Sequence, residues 1–176
     1  GILHIEGISV RELQKKYGTP VYVFVEEEIR QRFRKFKQAF NYPRFLPQYP
    51  CKVNANLEVL RIAREEGFEF DASSIGEIIL GLLADFEPEQ ITFTNLYKTE
   101  HDIVFAANVG VKALTVDSLE ELDLIIKLAE KQKKAAQDQA RAAQEARNSS
   151  SKTKTAASLD KPVYPLIPVA PVMQPV

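Results

Sequence analysis

Cysteine occurs once in the 176-residue chain, at Cys51, and tryptophan does not occur at all. A single cysteine excludes a disulfide framework and points to a reducing compartment, the cytoplasm. Two histidines, His4 and His101, added to that cysteine do not make a zinc cluster, so no metal is expected. Neither sign of charge dominates: 23 basic side chains face 24 acidic ones, for a net charge of −1. That balance offers no basic field for nucleic acid or an anionic membrane. No uncharged apolar run reaches the roughly 18 residues that a membrane helix needs. The start, "GILHIEGISVREL", also lacks the basic-then-apolar order of a signal peptide. Position 1 is not Met, which is a hint that the N-terminus is incomplete.

Absences also divide the chain. Residues 131–158 contain no Val, Ile, Leu or aromatic residue and so have nothing to bury. Their Ala/Gln/Lys/Arg part has the propensity to extend a preceding helix, and the Ser/Lys/Thr part reads as a linker. Residues 162–176, "PVYPLIPVAPVMQPV", carry five prolines and no charge. Repeated proline disfavours a regular helix or central strand. Residues 131–176 are therefore expected to be a low-complexity, Pro-rich, disordered tail or insertion.

What is present lies before that point. Apolar residues make up 45% of the chain and charged residues 27%, which is enough for a packed core. After a leader of residues 1–18, the run "TPVYVFV" (19–25) is β-rich. Residues 26–40 are helical, with Ile29, Phe33, Phe36 and Phe40 on one face. Strand-like and helix-like segments then alternate four times. The strands are "QYPCKVN", "FEFDASS", "ITFTN" and "KALTV". Gly67 and Gly110 stop two of the helices, and Asp117 or Ser118 caps the last one. Four βα units in succession imply parallel strands with crossover helices. The polar residues closing the strands, Lys52, Asp71, Asn95 and Asp117, are separated by 19, 24 and 22 residues. This regular spacing predicts an α/β fold, a partial (β/α)8 barrel spanning residues 19–130. A doubly wound sheet is the alternative, but no G-x-G-x-x-G or G-x-x-x-x-G-K-[ST] loop follows any strand.

In such barrels the reactive groups sit at the carboxyl ends of the strands. Lys52 is placed there, either as a solvated charge or as an amine freed by desolvation to attack a carbonyl. Asp71 on the next strand is placed to handle a proton beside it, or else to cap a helix. Asp117 reads better as a cap, Asn95 as a turn residue and His101 as an exposed first-turn residue. Cys51, by the period of two, belongs to the core.

Several blocks resemble the diaminopimelate decarboxylases, in order and at compatible spacing, from about residue 3 to residue 130. "YGTPVYVFV" is similar to their opening. "YPCKVNANLEVL" resembles their Y-x-x-K-A-N-x-N block, and "FEFDASSIGEI" their F-D-V-x-S-x-G-E block. "PEQITFTNLYKTEHDIVFAANVGVKALTVDSLEEL" is similar to the block that follows. The ornithine and arginine decarboxylases share much of this. The resemblance implies a pyridoxal 5'-phosphate-dependent carboxy-lyase of lysine biosynthesis, turning meso-diaminopimelate into L-lysine and CO2. It also implies that Lys52 is the Schiff-base lysine and that Asp71 and Glu77 support the cofactor. Asn95 and Lys98 fall in a family block without an assigned contact. The family's partners would be a small amino-acid substrate and, for the full-length protein, a second copy of itself.

The sequence departs from the family after the fourth helix. It has no R-I-N-P-like strand, no Gly-Gly-Gly phosphate loop and no E-P-G-R stretch. The expectation is therefore a fragment, inactive alone. The alternatives are a non-catalytic decarboxylase-like regulatory protein and an ornithine- or arginine-type enzyme.

Overall fold

The structure is a computed structural model. It describes the backbone of residues 1–153 and the side chains of residues 1–148. The chain forms two units, residues 1–130 and 131–176.

The first unit opens with a small antiparallel hairpin, β1 (His4–Ile5) and β2 (Ile8–Ser9). Helix α1 (Val10–Tyr17) follows, with the Ser9 hydroxyl accepting the Glu12 N–H at 3.3 Å. Residues 19–25, expected as a β-rich run, form no strand. Val21, Tyr22, Val23 and Phe24 are all exposed. A β-propensity run becomes a strand only where it finds a pairing partner, and this one has none among the described residues.

Helix α2 (Glu26–Gln38) is fixed by charge and by aromatic packing. Arg30 reaches Glu26 and, at the end of the next helix, Glu65 and the capping residue Glu66. Arg34 forms two hydrogen bonds to Glu66. These bonds from Arg34, against a smaller cost of burial, hold the Glu66 carboxyl below the usual range. Phe33 packs on Tyr49 and Phe68, while Phe36 and Phe40 stay half exposed.

Four βα units come next. The strands are β3 (Gln48–Pro50), β4 (Glu69–Ala72), β5 (Ile91–Phe93) and β6 (Ala113–Leu114). The helices are α3 (Leu57–Glu65), α4 (Ile75–Leu83), α5 (Glu100–Val109) and α6 (Leu119–Thr153). All four strands are parallel, in the order β3-β4-β5-β6. Sequential order leaves no point where the strand order reverses, which a doubly wound sheet requires. The expected partial barrel is therefore the observed arrangement.

Alternation decides which side of the sheet is the core. Tyr49, Cys51, Phe70, Ala72, Ile91 and Phe93 are buried on the helix side, joined there by Leu60 from α3 and Ile78 from α4. Each large side chain buried there stabilises the fold by about 1.5–3 kcal/mol relative to exposure. Gly81 in α4 lies so close to Phe70 that a Cβ would come within 2.8 Å of the ring. The other face carries Gln48, Glu69, Asp71, Thr92 and Thr94. At its amino-terminal end Lys112 bonds to Glu69 at 2.5 Å, and Gln48 donates to Thr92 at 2.6 Å.

Each helix start has a local cause. The Asn56 side chain caps α3 and the Ser74 hydroxyl caps α4. Thr99 and Asp102 form a reciprocal capping box on α5. Gly110 ends α5 at a φ of 83°, a left-handed conformation that glycine adopts without steric cost. The cap of α6 is Ser118, whose hydroxyl accepts the Glu121 N–H at 3.1 Å, rather than Asp117.

In the second unit, residues 131–153 are helical and belong to α6: the Ala/Gln/Lys/Arg part extends the preceding helix as its propensity allowed, where a disordered tail was the expectation for 131–176. Their Ala, Gln, Lys and Arg content supports a helix without a buried face, and Arg141 pairs with Glu145 at 3.0 Å. The Pro-rich stretch of residues 162–176 lies outside the described residues. No helix among the described residues is long and apolar enough to cross a membrane. They also hold no group of three or more His, Cys, Asp or Glu side chains suited to a metal ion.

Candidate active site at the carboxyl edge of the sheet

The carboxyl ends of the strands collect most of the residues singled out in the sequence. Strand β3 ends at Pro50, and Cys51–Val53 turn into one 3-10 helix. Lys52 is the middle residue of that turn and is exposed. This corrects the expectation of a lysine on the strand, losing its solvation there. The strand stops early because Pro50 offers no N–H to a ladder. The turn then lifts Lys52 out of the apolar layer while Cys51 drops into it. Cys51 is fully buried, and burial pushes its thiol up to about 11, with the charges of Glu77 and Asp71 adding to the shift. Both carboxylates therefore lie near the residue that precedes the lysine.

Asp71 is half-buried near the end of β4, level with Pro50 in the register. It is not a helix cap, since Ser74 fills that role. One of its oxygens, Oδ1, accepts a hydrogen bond from the Thr94 hydroxyl, two residues beyond its own β5 partner, Thr92. Glu77 stands in the first turn of α4. Its Oε2 accepts from the Ser73 N–H at 2.6 Å and from the Ser73 hydroxyl at 2.9 Å. Its first task is thus to hold the β4–α4 turn, which keeps the carboxylate at the same edge as Asp71.

The next two strand ends are tied together by Lys98, which the sequence placed in a family block without assigning it a contact. Lys98, beyond β5, has a fully buried side chain. Its ammonium donates to the Asn95 carbonyl at 2.5 Å and to Glu121 Oε1 at 3.0 Å, with Asp117 Oδ2 at 3.4 Å. Glu121 Oε2 in turn accepts the Asp117 N–H at 2.9 Å. Burial pushes the Glu121 carboxyl up, but the Asp117 N–H and the Lys98 ammonium outweigh it and hold the group below the usual range. Asn95 is the turn residue expected of it, and its side chain accepts the Tyr97 N–H. His101 is exposed near the start of α5, also as expected. The Lys98 cluster was invisible in the sequence because its acids come from the following βα unit.

Chemically, this edge offers one accessible primary amine, two carboxylates beside its turn, and a second amine whose donors are already engaged. An accessible amine on a turn next to two carboxylates suits attachment to a carbonyl compound, and pyridoxal phosphate is of that kind.

The comparisons with known proteins agree with that donor set. A family model described as the pyridoxal-binding domain of pyridoxal-dependent decarboxylases matches residues 26–161. The diaminopimelate decarboxylase of Methanothermobacter thermautotrophicus is 41% identical over 131 residues, 73% of this chain and 30% of that protein. That of Aquifex aeolicus is 35% identical over 136 residues, covering 77% and 32%. The crystal structure of the Methanocaldococcus jannaschii diaminopimelate decarboxylase in co-complex with L-lysine matches with a TM-score of 0.68 at 31% identity. That match covers 74% of this chain and 32% of that one. A Vibrio vulnificus lysine/ornithine decarboxylase complexed with putrescine gives a TM-score of 0.61 at 27% identity, covering 65% and 31%. The chain spans about a third of the length of the curated relatives it matches. With its four parallel βα units, its rim lysine and these matches, the chain belongs to the pyridoxal-dependent decarboxylases.

Proposed function

We propose that this chain is the lysine-bearing part of a diaminopimelate decarboxylase and that Lys52 is the residue that attaches pyridoxal phosphate. The observation that carries the reading is the exposed amine of Lys52 at the carboxyl edge of β3, inside a stretch 41% identical to a diaminopimelate decarboxylase. Lys52 would hold the cofactor through its aldehyde carbon, and Asp71 and Glu77 would flank it. When bound, pyridoxal phosphate supplies an electron sink for the bond to the departing carboxylate. The chain's own residues bind and orient. Exposure leaves the Lys52 amine reachable, and the Ser73 contacts keep Glu77 at the rim. The capped starts of α3 and α4 keep both loops short and fixed.

The substrate is a diamino acid, with meso-diaminopimelate favoured by the names of the curated relatives and L-lysine as its product. Turnover is proposed for the longer arrangement of those relatives, as a homodimer in the cytoplasm. For this chain alone the proposal is cofactor attachment without turnover.

The test is direct. Purified chain is mixed with pyridoxal phosphate, reduced with borohydride, and digested for peptide mapping. Label concentrated on Lys52 is the expected result. Label spread evenly over the exposed lysines, with Lys52 no more modified than the rest, overturns the reading.

A further inference from the structure

We propose that Thr94 is a positioning residue for Asp71, holding the carboxylate beside the Lys52 turn in one orientation. Its importance for the cofactor site rests on the function proposed above, although the contact itself does not. Asp71 and Thr92 are partners in the β4–β5 register, so Thr94 lies two residues on, on the same face and one step nearer the rim. From there its hydroxyl donates to Asp71 Oδ1. The same hydroxyl lies 3.4 Å from the Ala72 carbonyl, and the Thr94 N–H donates to that carbonyl at 2.8 Å. The backbone that presents the hydroxyl is thereby tied to the strand that carries the acid.

The loop beyond Thr94 is anchored as well. The next residue, Asn95, gives its carbonyl to the buried ammonium of Lys98, which also grips Glu121 and Asp117. Asp71 is thus held across three consecutive strand ends, through β5 to the start of α6. A half-buried carboxylate without a donor samples several rotamers. A hydrogen bond to a charged acceptor favours the bonded rotamer by about tenfold or more. It fixes Oδ1 toward β5 and leaves Oδ2 as the oxygen turned to other groups. Sequence alignment of motifs does not reveal this contact, since Thr94 and Asp71 are 23 residues apart.

The test uses the full 176-residue chain and the variants Thr94→Val, Thr94→Ser and Asp71→Ala. The first readout needs no cofactor. Three-bond side-chain couplings by NMR report the Asp71 rotamer. One rotamer is expected in the unaltered chain and in Thr94→Ser, and averaging in Thr94→Val. Thr94→Ala replaces Thr94→Val if valine is not accommodated, with a urea midpoint reporting the fold. The second readout is Lys52 labelling by pyridoxal phosphate and borohydride. About a fivefold fall is expected in Thr94→Val, with recovery in Thr94→Ser. Adding Thr94→Val to Asp71→Ala should change nothing further, because the threonine acts through that acid.

An averaged Asp71 in the unaltered chain, or an unchanged rotamer in Thr94→Val, overturns the inference. So does an additive loss of labelling in the double variant. The expected rotamer behaviour without preferential Lys52 labelling upholds the contact and refutes the assignment of Lys52 instead.

Discussion

Two lysines stand beyond strand ends on the same edge of the sheet, one strand apart, and they are opposites. Lys52 follows β3 within a single turn of 3-10 helix and is exposed. Lys98 follows β5, is fully buried, and spends its donors on one carbonyl and two carboxylates. A buried ammonium in such a cluster is a structural clamp, because releasing it to react would leave the Glu121 carboxylate without its cation. An exposed ammonium with two acids beside its turn is free to exchange partners. Position at a barrel rim therefore does not make a lysine reactive. Whether the neighbouring unit claims its protons does.

The sharpest way to break this contrast is to remove each lysine in turn. Lys52→Met should abolish the preferential pyridoxal phosphate label altogether while leaving the urea midpoint within about 0.5 kcal/mol of the original. Persisting preferential label at another residue would end the contrast. Lys98→Met should do the reverse. It leaves the buried Glu121 carboxylate without its cation and costs about 3 kcal/mol of stability, read from urea unfolding. A cost below about 1 kcal/mol would mean the cluster is not a clamp.

A smaller effect sharpens the comparison by probing the packing beneath both loops. Gly81→Ala gains up to about 1 kcal/mol of helix propensity. It also drives a Cβ to 2.8 Å from the fully buried ring of Phe70, which has no room to yield. Overpacking costs roughly 1–3 kcal/mol, so a net loss of about 1 kcal/mol is expected by thermal or urea unfolding.

The smallest effect is on pH dependence. Glu121 is held below the usual carboxylate range in the fold. Its contribution is therefore complete above the unfolded value, near 4.3, and is lost as pH falls through the folded one. Glu121→Gln should flatten the decline in stability below about pH 4. An unchanged decline would remove Glu121 from the clamp.

Much of this arrangement was legible before any coordinates. The four βα units follow from alternating periods, and Gly67 and Gly110 stop helices where left-handed backbone is needed. The core position of Cys51 follows from the period of two. Three things were not legible. The run at residues 19–25 has strand propensity but no partner to pair with. The end of β3 at Pro50 changes Lys52 from a strand residue into a turn residue. The roles of Asp71 and Lys98 depend on residues from other units: Thr94 for the first, and Asp117 and Glu121 for the second.

Sequence alone determined the order of elements, the core position of Cys51, the glycine helix stops and the family to which the chain belongs. These depend on propensity, periodicity and motif spacing, all local along the chain. Only the tertiary structure decided which lysine is free and which acid is held. Those outcomes depend on hydrogen bonds and burial between segments about 20 residues apart, whose register no single segment carries.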